Sequence, residues 1–119
     1  GMVVKTLDIR ADLEERTMPH SVQINPAHFD ELIHAIAGLE SEEECRAFLR
    51  DLCTVQELIH LSQRLQVAKL LLAGKSYDAI RGELPVSSAT ITRISTALHY
   101  GAGGYQSVLH RQAQEEQPD

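Results

Sequence analysis

The residues with the clearest chemical potential lie between Ser76 and His99. Ser87, Ser88, Ala89, Thr90, Thr92, Arg93 and Thr96 fall on the outward side of one helical segment, and no Asp, Glu or Lys occurs from 85 to 99. Short hydroxyl side chains let a backbone come close to another polymer. They exchange hydrogen bonds with base edges or phosphates, while Ala and Thr methyls pack on the thymine methyl. A helix start adds free N–H groups and partial positive charge, which suit a phosphate. Arg81, seven residues before Ser88, offers a guanidinium for the sugar–phosphate backbone. A face that merely solvates a helix carries Glu and Lys, and this one has neither.

Covalent chemistry is not indicated. Ser87-Ser88 has no His and Asp arrangement beside it, and Glu42-Glu43-Glu44 belongs to a helix start. Six histidines and the pair Cys45 and Cys53 show no ligand spacing. Neither a metal site nor a cofactor is therefore expected, and the cysteines read as buried small hydrophobes. Gly101, Gly103 and Gly104 lack the Lys-Ser or Lys-Thr that a phosphate-cradling loop needs, so they read as a joint. The chain does not read as an enzyme.

The elements that must position these residues are all helical. Asn25-Pro26 is an N-cap followed by Pro at the first helical position, ahead of Phe29, Leu32, Ile33 and Ile36 on one face. Ser41 to Glu44 and Thr54 to Glu57 have capping-box spacing. The second opens the longest helix, about 54–73, with a stripe at Leu58, Leu61, Leu65, Ala68 and Leu72 that Ile59, Leu70 and Leu71 widen. So broad an apolar face suggests a core shared between two chains. Ser76 caps a short helix to about Glu83, and Ser87 caps a second to about His99. Leu84-Pro85-Val86 breaks them apart, because Pro85 lacks an N–H and disfavours helix before it. Ile80, Leu84, Val86, Ile91, Ile94 and Leu98 form one seam across the break, the pattern of a helix-turn-helix. A last helix is expected at about 105–112.

Composition bounds the rest. A chain of 119 residues makes one domain, and 43% apolar residues provide its core. The expected layout is a mobile N-terminal arm over 1–24, with a short helix near Leu7 to Leu13. A helical domain over 25–112 and a disordered tail over 113–119 follow. Two cysteines make no disulfide framework, and no apolar run spans a membrane, so a cytoplasmic location is expected. The net charge is −6, yet residues 46–111 hold eight bases against four acids, and the other residues three against thirteen. The basic surplus coincides with the helix-turn-helix, which favours a nucleic-acid partner.

Two stretches, LRDLCTVQELIHLSQRLQVAKLLLAGKSYDAI and SSATITRISTALHYGAGGYQSVL, resemble the Trp-repressor-like superfamily, nearest its YerC/YecD-type branch. The likeness covers about 29–110, with Ala89 to Arg93 its most diagnostic part. It implies an all-α fold of about six helices, two chains interlocked as a homodimer, and repression of transcription at a palindromic double-stranded DNA operator. By position it assigns DNA reading to Ser87, Ser88, Ala89, Thr90 and Thr92, and phosphate contact to Arg81. Thr54, Arg64 and Arg93 match the corepressor pocket, with Arg93 also available to DNA. Pro85 replaces a customary turn glycine, and Asp78 replaces a basic residue. Ile94 stands where a glycine makes room for the indole, and Ala97 where a serine helps hold the ligand. A β-branched side chain in that slot implies that free tryptophan does not bind. The competing reading is a helical dimeric adaptor that binds a protein and not DNA.

Overall fold

A computed structural model describes residues 23–116. Six helices occur among them and no strand: α1 Pro26–Ala37, α2 Glu42–Leu52, α3 Val55–Leu72, α4 Tyr77–Glu83, α5 Ser88–Tyr100 and α6 Gly104–Glu116. The expected arm lies almost wholly outside these residues, as do the last three of the tail. The chain divides into two units, 1–46 and 47–119.

In the first unit, Asn25 Oδ1 accepts from the His28 N–H at 3.1 Å and Pro26 opens α1. On the apolar side of α1, Phe29, Ile33 and Ile36 are exposed and Leu32 is half-buried. At the start of α2, Ser41 Oγ accepts from the Glu44 N–H at 3.0 Å. The Glu44 carboxylate accepts from the Glu40 N–H at 2.8 Å, one residue earlier than a standard capping box. Cys45 in this unit and Cys53 in the next are half-buried free thiols rather than core residues.

In the second unit, α3 begins with a complete capping box. Thr54 Oγ1 accepts from the Glu57 N–H at 3.0 Å, and the Glu57 carboxylate accepts from the Thr54 N–H at 2.7 Å. The core comprises Val67, Ala68, Ile80, Ile91, Ile94, Leu98 and Leu109, with Leu65, Leu70, Leu71, Leu84, Val86 and Tyr105 packed against it. Helices α4, α5 and α6 all pack on α3. The buried side of α3 lies at one margin of the broad face read from sequence, where Leu71 widens it. At about 100° per residue, Val67, Ala68 and Leu71 lie roughly a quarter turn from the centre of Leu58, Leu61, Leu65, Ala68 and Leu72. Ala68 and Leu65 serve both faces, while Leu61 and Leu72 remain 45% and 49% exposed.

Gly74 turns the chain out of α3 at φ 85°, a conformation that L side chains rarely adopt. Helix α6 runs to Glu116, four residues past the expected end. Gln112, Ala113, Gln114, Glu115 and Glu116 are all good helix formers, and Leu109 anchors the preceding turn in the core.

Candidate nucleic-acid interface

The seam between the two short helices forms as the spacing predicts. Ile80 from α4 and Ile91 from α5 are fully buried, Ile94 and Leu98 nearly so, and Leu84 and Val86 pack at the margin. The turn accommodates Pro85 without a left-handed residue. Leu84 is extended at φ −129°, ψ 144°, as a residue before Pro prefers. The Val86 N–H then donates to the Leu84 carbonyl at 2.9 Å, a three-residue turn centred on Pro85. Proline thus closes by a γ-turn what a glycine would close at positive φ.

Burial of Ile91, Ile94 and Leu98 fixes which side of α5 faces outward. Ser87, Ser88, Ala89, Thr92, Arg93 and Thr96 are exposed, and Thr90 is half-buried. Several hydroxyls already have intramolecular partners. Ser87 Oγ accepts from the Thr90 N–H and donates to Thr90 Oγ1, both at 3.1 Å, so it serves as the N-cap. Thr96 Oγ1 donates to the Thr92 carbonyl at 3.0 Å. The Thr92 side chain projects from the exposed face with no such bond among the described residues. The first turn of α5 contains no acid.

Arg81 is not a loose cation. Its Nη1 donates to Ser88 Oγ at 2.9 Å, and its Nη2 is ion-paired with Asp78 one turn back on α4. The sequence reading missed this role of Asp78, although an acid three residues before an arginine in a helix is a recognisable pairing distance.

Of the three residues matched to an effector pocket, the structure brings two together. Arg64 from α3 and Arg93 from α5 line a cleft of about 330 Å³ with His60, Gln63, Pro85, Val86, Ser87 and Thr90. The same two arginines border a second space of about 220 Å³ with Ile94, Ala97 and Tyr105. Ile94 is 3% exposed and belongs to the core, so its side chain fills the room that a glycine would leave. Thr54 lines neither space; its hydroxyl caps α3. His60, Gln63 and Tyr105 were not singled out from sequence, because only the packing of α3 and α6 around α5 brings them here.

At the far end of α5, the His99 ring nitrogen Nδ1 donates to the Ser95 carbonyl at 2.8 Å, and Tyr100 is 86% exposed. Gln106 Nε2 on α6 donates to the Leu98 carbonyl at 2.8 Å, tying the helix end to the next element. No group of three metal-ligating side chains occurs among the described residues. No described helix is long and apolar enough to cross a membrane.

Comparison with known proteins bears on this arrangement directly. Residues 27–113 match the family model of the Trp repressor protein. The YerC protein of Bacillus subtilis strain 168 is 43% identical over 82 residues, covering 69% of this chain and 79% of its own. A candidate Trp repressor from Staphylococcus aureus, solved by crystallography, is 47% identical. It superposes with a TM-score of 0.69 over 73% of this chain and 87% of its own. A TrpR-like protein from Eubacterium eligens is 38% identical, with a TM-score of 0.67 over 71% and 87% of the two chains. The seam, the turn at Pro85 and the Arg64–Arg93 cleft all fall inside the matched span, and the chain belongs to the Trp repressor family.

Proposed function

We propose that this protein is a sequence-specific DNA-binding regulator of transcription, a repressor, that acts in the cytoplasm as a homodimer and does not use tryptophan as corepressor. The observation that carries the reading is α5 itself. Three buried apolar side chains hold it by one edge, leaving an acid-free face of Ser88, Ala89, Thr92, Arg93 and Thr96 open to solvent. Such a helix enters the major groove with its N-terminal residues at the base edges. Short side chains and bridging water then carry much of the sequence preference, and basic residues of the C-terminal half carry the salt-dependent attraction. Two copies place two α5 helices about 34 Å apart along a duplex, one helical turn.

The dimer is supported by apolar surface that a single chain leaves uncovered: Phe29, Ile33 and Ile36 on α1, and Ile59, Leu61 and Leu72 on α3. The lack of a tryptophan requirement is supported by Ile94 in the core and Ala97 beside it.

Selection from a random duplex pool tests the reading. The wild-type protein enriches a palindromic site, and binding falls steeply with salt. Thr90→Ala and Thr92→Ala each change the selected sequence. Absence of binding to any duplex at low salt refutes the proposal and favours a protein-binding adaptor.

A further inference from the structure

Resting on the DNA reading above, we propose that Arg81 is a guanine-reading residue, held in orientation by Asp78 and Ser88, rather than a clamp on the phosphate backbone. Its Nη1 donates to Ser88 Oγ at 2.9 Å, and Ser88 is the first residue of α5. In a docked helix-turn-helix the first helix crosses the backbone, while the start of the second meets base edges. The bond therefore carries a guanidinium rooted on α4 to the groove side of the motif.

Charge points the same way. The ion pair of Arg81 with Asp78 has no net charge, so it adds little long-range attraction to phosphate. What survives pairing is direction. Two bonds fix one planar group and leave three of its five N–H donors. The Arg81 side chain is 46% exposed, so donors remain accessible. A fixed, accessible fork beside the start of a recognition helix matches the O6 and N7 acceptors of guanine.

The test uses the full-length protein, random-pool selection, and anisotropy titrations against the selected site and a scrambled duplex over a salt series. The charge-neutral double variant Asp78→Asn/Arg81→Gln is expected to bind the selected site about 10- to 100-fold more weakly. It should lose a guanine preference at one position of each half-site, with scrambled-duplex affinity and salt slope unchanged. Asp78→Asn alone is expected to loosen that guanine preference, tighten scrambled-duplex binding and steepen the salt slope by about one. All three side chains lie at the surface, so circular dichroism should show unchanged helicity.

Equal weakening of both duplexes by the double variant overturns the proposal in favour of a phosphate clamp. A wild-type protein that selects a site without such a guanine sinks this inference alone. A wild-type protein that binds neither duplex removes the DNA reading and this inference with it.

Discussion

Leu61 offers the sharpest measurement on the proposed assembly. Full burial of a Leu or Ile side chain is worth about 1.5–3 kcal/mol. Phe29, Ile33, Ile36, Ile59, Leu61 and Leu72 are each 41–49% exposed in the single chain, so about half of that remains to be gained. Over both copies, these side chains supply roughly 9–18 kcal/mol gross, against an association cost of about 4–15 kcal/mol. The three on α3 supply half that amount, which the association cost can consume. Burial of both helices gives the proposed dimer the wider margin. Leu61→Ala removes up to about 0.75–1.5 kcal/mol per chain, or about 1.5–3 kcal/mol per dimer, and raises the dimer Kd about 10- to 150-fold. Sedimentation equilibrium across protein concentrations reads this directly. The wild type should sediment at twice the 13.2 kDa chain mass, and its Tm should rise with concentration. Leu61→Ala should shift the monomer–dimer midpoint upward while retaining its helicity. A wild type that stays at 13.2 kDa at high concentration, or a midpoint unmoved by Leu61→Ala, refutes the reasoning.

Three further outcomes follow from individual packing contacts. Ile80 is fully buried between α3 and α5, so Ile80→Ala should cost about 2–5 kcal/mol and lower the Tm by about 8–40 °C in a domain of this size. A Tm within 2 °C of wild type would show that the seam does not hold the two helices. A Cβ on Gly101 would meet the Ala97 carbonyl oxygen at 2.5 Å, against backbone that cannot swing away. Gly101→Ala should therefore cost about 1–3 kcal/mol through steric overlap, readable by urea denaturation; an unchanged midpoint would contradict the close approach. Titration calorimetry with free tryptophan should give no binding heat, since Ile94 occupies the slot; micromolar affinity would overturn that assignment.

The local rules of helix formation were legible in the sequence. Asn25, Thr54, Ser76 and Ser87 all cap the helices their spacing announced, because a cap depends only on a side-chain oxygen and an N–H two or three residues on. The break at Pro85 and the seam from Ile80 to Leu98 were equally readable, since both follow from short-range geometry and periodicity. Which side of α3 turns inward was not, because its apolar residues surround more than half the helix. Only the positions of α4, α5 and α6 decide that Val67 is buried while Leu61 stays exposed. The same holds for Arg81 and for the Arg64–Arg93 cleft. Residue type gave the charge, but the angle between α4 and α5 put a guanidinium on Ser88, and the packing of α5 on α3 set two arginines on one cleft. Sequence determined the helices and their breaks through contacts a few residues apart. Tertiary structure decided which faces and charges meet, because those contacts join residues that the chain itself keeps apart.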